Sequence, residues 1–166
     1  MAESYNPQGR SQWYWVPTSG GAAGPTLAEL AAGTELGDAA ISVTPPARTP
    51  NTITATPMTA EEEHTLPALP GTTNGELEML RGDASGADNY TLWNTMKALE
   101  GTDGYLVDVL TGKAVTPAAG HVCDVYPATV NLVANASKAP GQASTWKVSF
   151  SHNGAFRENK LLLANP

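Results

Sequence analysis

A period of two in the last third of the chain decides most about the fold. Trp146, Val148 and Phe150 alternate with Lys147, Ser149 and Ser151. In an extended chain that spacing sends the apolar set to one face and the polar set to the other. The preceding run HVCDVYPATVNLVANA and the following FRENKLLLA read as further strands, joined by a Pro-Gly-rich loop and by Asn153-Gly154. Asn-Gly is the dipeptide best suited to a tight hairpin, because both central positions accept positive φ, so a hairpin is predicted there. Strands to the end of the chain, with no chemistry attached, predict a protein whose product is a surface or an assembly.

The rest of the chain fits a mainly β (α+β) class folded as a single domain over residues 1–166. Its 16 glycines and 13 prolines separate short apolar runs, the punctuation of a strand-built fold. Trp13 to Val16 form an aromatic strand candidate inside an N-terminal arm spanning 1–25. TLAELAAG predicts a short helix, with Thr26 as N-cap, Glu29 closing a capping box and Gly33 ending it. Ala40 to Thr44 make a brief strand. Residues 45–70 carry six prolines; proline cannot donate to a sheet ladder, so this segment is expected as an edge strand or a long extended loop. Leu77 and Met79 alternate with Glu76, Glu78 and Leu80. Asp88 to Glu100 is the best helix, with Leu92, Trp93, Met96 and Leu99 on one stripe and Gly101 after it. Tyr105, Val107 and Val109 alternate in another strand.

Charge is uneven. Of the net −7, residues 1–83 hold ten acids against three bases, whereas 84–166 hold six of each. No basic stripe is available to displace counterions from phosphates, which argues against a dedicated nucleic-acid binder. The acidity reads either as solubility or as a surface that lets DNA pass without sticking. The single Cys123 excludes an internal disulfide, and the start lacks the basic-then-apolar pattern of a secretory signal, so a reducing cytoplasm is expected. No apolar run approaches the roughly 20 residues of a membrane span, and no membrane insertion is expected.

Candidate chemistry is thin. SGGAAGP matches neither phosphate-loop spacing and lacks the following Lys, so it reads as a connector. His121 and Cys123 share a strand face, but two further ligands at zinc spacing are absent, with His64 and His152 isolated. Glu61, Glu62 and Glu63 are adjacent acids in a Pro-flanked loop rather than a pair in unlike environments. GDASG places its Ser one position late for a nucleophile elbow. Arg81-Gly82-Asp83 lies between a strand and a helix and reads as a structural turn. No enzyme function, cofactor or metal is expected. Trp13, Tyr14 and Trp15 are the exception: alternation gives both strand faces large aromatic area, to be buried in the domain's own core or against a neighbouring subunit.

The order of these segments is familiar. YWVPT near the start, LRGDASGADNYTLW at the strand–helix junction and AAGHVCDVYPATV before the final strands resemble the major tail (tail tube) proteins of long, non-contractile-tailed bacteriophages. TWKVSFSHNGAFREN is similar to the last hairpin of that family; no immunoglobulin-like C-terminal domain is expected. The resemblance implies a β-sandwich or half-barrel with a flanking α-helix and a long extended loop, and no catalytic residues. It implies a structural virion protein that self-assembles into hexameric rings, stacked into the tube through which DNA is ejected. Its partners would be other copies of itself, tape-measure and tail-terminator proteins, and baseplate or tail-tip proteins; DNA would pass without specific binding. The location would be the virion tail, with assembly in the host cytoplasm. On this reading Trp13, Tyr14 and Trp15 belong to subunit contacts, segment 45–70 orders against an adjacent ring, and Glu61, Glu62, Glu63, Glu76 and Glu78 face the lumen. The competing reading is a β-sandwich decoration or adhesin-type binding module, which would stay monomeric or trimeric without polymers.

Overall fold

Alternation along β1 (Gln12–Val16) organises the molecule, because the two faces of this strand enter two separate cores. The computed structural model describes residues 11–19, 23–36, 40–55, 64–81, 88–111, 115–136 and 144–165. Within them, α1 (Leu27–Ala32) and β2 (Thr34–Glu35) follow the aromatic strand, and then β3 (Ala40–Thr44), β4 (Ala47–Thr49) and β5 (Thr52–Ala55) run outward. The chain returns through β6 (His64–Pro67), β7 (Gly71–Thr73) and β8 (Gly75–Leu80) to α2 (Asp88–Ala98). It ends in β9 (Asp103–Val109), β10 (Val122–Asn135), β11 (Thr145–His152) and β12 (Arg157–Leu161). Strands account for 54% of the described residues, which makes the fold mainly β.

One antiparallel sheet runs in the order β2-β1-β9-β10-β11-β8-β3. The 14-residue β10 is its spine. Cys123 and Val125 pair with both β9 and β12, while Ala128 and Thr129 pair with both β9 and β11. A strand has only two edges, so β11 and β12 lie end to end along the edge opposite β9. This corrects the hairpin expected at Asn153-Gly154. Neither residue has positive φ, and the strands on either side pair with β10 instead of with each other. The Asn153 side chain donates to Asp103 Oδ1 at 2.9 Å and Thr129 Oγ1 at 3.0 Å, and its N–H donates to the Pro127 carbonyl at 3.3 Å. Those bonds fasten the break to the spine and leave a bend where the dipeptide alone favours a reversal.

Trp15 and its ladder partner Leu106 share one core with Leu77, Met79, Val130, Trp146, Val148, Phe150 and Met96 of α2. Tyr14, Val16, Val107, Val109, Cys123 and Val125 point the other way, onto Leu30 of α1 and Leu162. The Trp15 and Phe150 rings stack at 5.6 Å, although β9 and β10 separate their strands. Three strand spacings in a flat sheet would be about 14 Å. The sheet therefore curls, a half-barrel with the α2 side concave. Gly104 makes room for the indole, since a Cβ there would lie 2.5 Å from Trp15 Cζ2.

Both helices follow their sequence signals. Thr26 Oγ1 accepts from the Glu29 N–H at 3.2 Å, and Glu29 Oε2 accepts from the Thr26 N–H at 2.8 Å. Gly33 ends α1 in an extended conformation, so its smallness is what counts: a Cβ would come 2.7 Å from the Trp15 carbonyl. On α2, Met96 is fully buried and Leu92, Trp93 and Leu99 pack beside it. Gly101 follows at φ 78, the left-handed turn that glycine permits.

Residues 40–55 and 64–80 pair with each other in three stages. β3 pairs with β8 on the sheet, β4 with β7 beyond it, and β5 with β6 farther out. The described parts of the Pro-rich segment are thus extended, β5 paired with β6 inside it and β4 with β7 just beyond it, and each strand of a two-stranded ribbon is an edge strand. This ribbon forms an arm on the sheet, separate from the N-terminal segment 1–25. No helix among the described residues is long and apolar enough to cross a membrane.

Candidate functional site

The convex face of the sheet is covered over one half and bare over the other. On β1, β9 and the start of β10 it carries the core beneath α1. On β11, β8 and β3 the described residues leave it bare and mainly polar, with Leu132, the ladder partner of Ser149, and Leu80 exposed among the polar side chains. Ladder partners share a face, so the register aligns Thr44, Glu76 and Ser149 in one row and Ser42, Glu78 and Lys147 in the next. Lys147 Nζ lies 2.6 Å from Glu76 Oε1 and 3.8 Å from Glu78 Oε2. The hydrogen bond to Glu76 and the field of both carboxylates hold the ammonium pKa above its ordinary value. Thr145 Oγ1 donates to Glu78 at 2.9 Å, and Ser151 Oγ donates to Asn131 at 2.9 Å. Two carboxylates and one ammonium leave this patch with a net charge of about −1.

Some of the residues singled out in the sequence have a definite place and others lie outside the described residues. Glu76 and Glu78 project from this bare face, as their alternation predicts. Glu61, Glu62 and Glu63 lie outside the described residues, as do Gly82 and Asp83. Arg81 is described: its guanidinium stacks over Trp93 at 5.7 Å and donates to Asn135. The two tryptophans share one face and Tyr14 takes the other. Trp15 is 1% exposed and Tyr14 9%, both buried by this chain itself. Trp13 is half-buried, stacked on Tyr126 at 6.2 Å. Of the three it keeps the most surface for a neighbour.

Tyr126 continues an aromatic strip: edge-on to Phe156 at 5.7 Å, which lies 4.2 Å from His152 and under the Arg48 guanidinium at 5.3 Å. This strip fixes the arm's root to the body, and beside it a groove of about 430 Å³ opens between Pro45–Arg48 and Tyr126, Phe156 and Glu158. Farther out, Ile53 and Leu66 are ladder partners on one face of the arm, 59% and 52% exposed.

Edges receive specific treatment. Beyond the end of β9, the β10 edge is occupied by side chains: Val133 N–H donates to Glu100 Oε1 at 2.6 Å and Lys97 Nζ donates to the Val133 carbonyl at 3.2 Å. Lys97 and Glu100 are themselves paired at 2.8 Å, and the hydrogen bond from Lys97 followed by that from Val133 depresses the Glu100 pKa. At the opposite end of the sheet β3 is terminal.

Buried ionisable groups offer no catalytic constellation. Asp108 sits in the ladder between Trp13 and Asp124, 8% exposed. Desolvation raises its pKa to about 6, against a hydrogen bond from Ser11 and with a further push from Asp124. Burial, with Asp124 and Asp108 nearby, pushes the Cys123 thiol to about 11. His121 Nδ1 accepts from the Ala118 N–H at 3.1 Å. Among the described residues no three His, Cys, Asp or Glu side chains gather as metal ligands.

The chain belongs to the phage tail tube protein family, whose model it matches over residues 1–165, a non-enzymatic family of the virion tail. Two solved structures are similar. One is from the anti-feeding prophage baseplate, 6-fold symmetrised, with TM-score 0.57 and 11% identity over 91% of this chain and 93% of that one. The other is from the PVC extracellular contractile injection system, a sheath/tube terminator structure in the extended state. It gives TM-score 0.59 and 14% identity over 93% of this chain and 96% of that one. At such identities the likeness carries the fold alone, and the second is a contractile system, unlike the non-contractile tails that the sequence segments resemble. No curated protein matches the chain in sequence.

Proposed function

We propose that the chain is the repeating subunit of a long, non-contractile phage tail tube, self-assembling into stacked hexameric rings whose bore passes DNA during ejection. The observation that carries this reading is the half-bare convex face. Two adjacent rows, Thr44–Glu76–Ser149 and Ser42–Glu78–Lys147, form a solvated sheet face of the kind antiparallel sheets support, and a tube needs such a face for its inner wall. Six-fold symmetry in a structure of similar fold supports the ring number. Lys147 tempers the acids, so the wall is mildly negative, and phosphate has no cationic stripe on which to exchange counterions. Trp13 and the arm then serve neighbouring subunits. Closure of sheets from several copies removes open edges such as that of β3. Tape-measure, terminator and tail-tip proteins would be the other partners, with assembly in the host cytoplasm.

Negative-stain microscopy at rising protein concentration tests the assembly. Hollow rings or tubes are expected; dispersed particles, with or without tail completion factors, would refute it and favour a decoration module. A gold label on Ser149→Cys tests the wall, with density expected on the tube axis and not outside.

A further inference from the structure

We infer that the Trp13 ring is a lid over the Asp108 carboxyl, closed when that carboxyl holds its proton and lifted when it gives the proton up. The device lies within one chain, so it stands or falls independently of the tube reading. Trp13 and Asp108 are ladder partners. The Trp13 carbonyl faces outward, where it accepts the Leu36 N–H at 2.7 Å. The two residues therefore form a non-hydrogen-bonded pair, the kind whose side chains stand closer. The indole also stacks on Tyr126 of β10 at 6.2 Å. In a flat sheet β1 and β10 would stand about 9.5 Å apart, with β9 between them. Rings that approach this closely lean in over β9, beside Asp108, which is buried although it carries a carboxyl.

The site holds a neutral carboxyl more easily than a carboxylate. Asp108 Oδ1 is buried without a hydrogen-bond partner, and Oδ2 accepts only a long bond from Ser11 Oγ, 3.3 Å. Directly opposite on β10 is a second acid, Asp124, whose Oδ1 accepts the Asn159 N–H of β12 at 2.7 Å. Like charges placed opposite each other on a ladder repel. Cys123, next to Asp124, turns into the other core with its thiol pushed up to about 11 and so carries no charge. From β1, Ser11 and Trp13 meet Asp108 and neither ionises; on β12, Glu158 and Lys160 flank Asn159. Among the described residues no cation pairs with Asp108.

An ionised Asp108 is relieved by water, and Trp13 is what stands in the way. The ring is half-buried, so swinging it off Tyr126 gives up one stacked pair and leaves both cores intact. Under the closed lid the carboxyl titrates at about 6, and once wetted it returns toward 3.8. A proton held more tightly in the closed state favours that state in acid. The open-to-closed ratio is lowest below pH 4, climbs between pH 4 and 6 and levels off above, a rise of roughly a hundred-fold. Trp13 keeps more surface for a neighbour than Tyr14 or Trp15, so the proton on Asp108 governs how much of that ring is available.

Fluorine NMR tests the lid. The full chain is labelled with 5-fluorotryptophan and kept below assembly concentrations, and Trp13→Phe identifies the Trp13 signal among those of the four tryptophans. The difference in its shift between H2O and D2O reads exposure of the ring. That difference should grow from pH 4 to 7 in the wild type and stay at its acid value in Asp108→Asn. Ser11→Ala removes a bond that favours the ionised form, so its transition should move to higher pH; Asp124→Asn removes the opposing charge and should move it lower. A ring exposure that is constant with pH in the wild type, or that changes equally in Asp108→Asn, overturns the lid. If Asp108→Asn does not fold, the other two variants decide: a transition displaced by neither overturns it as well.

Discussion

Asp108→Asn should stabilise the folded subunit at neutral pH. Asp108 is 8% exposed, in the ladder between Trp13 and Asp124, and its Oδ1 is buried without a hydrogen-bond partner. Desolvation is the main reason that its pKa rises from 3.8 to about 6. A carboxyl with a higher pKa folded than unfolded holds its proton more tightly in the folded state, so ionising it costs stability. The cost is absent below pH 4, grows between pH 4 and 6, and is fully present above pH 6. At ~1.36 kcal/mol per pH unit the rise corresponds to about 3 kcal/mol at pH 7. Asn keeps the shape and an acceptor for Ser11 while removing the charge. For a domain of this size about 3 kcal/mol corresponds to a Tm gain of about 6–12 °C. Melts followed by circular dichroism, at pH 7.5, 5 and 3.5 and at concentrations too low for assembly, should show that gain disappearing with acid. Glu100 and Asp103, whose pKa values are depressed by hydrogen bonds, act in the opposite sense below pH 4, but equally in both proteins. A variant no more stable than wild type at pH 7.5, or a gain that persists at pH 3.5, would refute the reasoning.

Trp15→Ala should cost about 3–5 kcal/mol by emptying a buried site. Trp15→Phe should cost much less, because the indole N–H is buried without a partner and contributes volume alone; denaturant midpoints separate the two. Gly104→Ala pushes a Cβ to 2.5 Å from the same indole, and chemical denaturation should read an overpacking loss of about 1–3 kcal/mol. Glu100→Ala leaves the Val133 N–H without its acceptor. Amide exchange at Val133 should quicken and light scattering at low protein concentration should rise, while the melting curve keeps its cooperativity.

The sequence carries faces well and partners poorly. Alternation separates Leu77 and Met79 from Glu76 and Glu78, and the two tryptophans from Tyr14, because side-chain direction in a strand is a property of one residue and its neighbours. The Thr26–Glu29 capping box is equally local. Lys147 reaching both Glu76 and Glu78 depends on register between strands about 70 positions apart, and nothing in TWKVSFSH encodes that pairing. Asp108 reads as the polar member of YLVDVL, yet both faces of β9 are buried, since the sheet curls over one and α1 covers the other. Asn153-Gly154 misleads for the same reason. Its local preference for reversal is overridden by bonds to Asp103, Thr129 and Pro127, none of them near it in the chain.

On the tube reading, the treatment of the strand edges bears on how subunits would avoid uncontrolled pairing before assembly. Exposed strand edges are templates for uncontrolled pairing. The β10 edge beyond β9 would be one, but Glu100 takes the Val133 N–H and Lys97 takes its carbonyl. β2 covers part of the outer edge of β1, and Leu36 donates to the Trp13 carbonyl at 2.7 Å. At the other end β3 is short, and its register slips between Ala40 and Ser42, a bulge of the kind that discourages casual strand addition. Casual pairing is therefore impeded at both ends of the sheet. Association would then rest on surfaces made of side chains, such as the exposed aliphatic pair Ile53 and Leu66 and the half-buried Trp13, while the polar face stays solvated. Side-chain surfaces specify register and partner as backbone edges cannot, so growth can proceed by one geometry, as a tube of uniform bore requires.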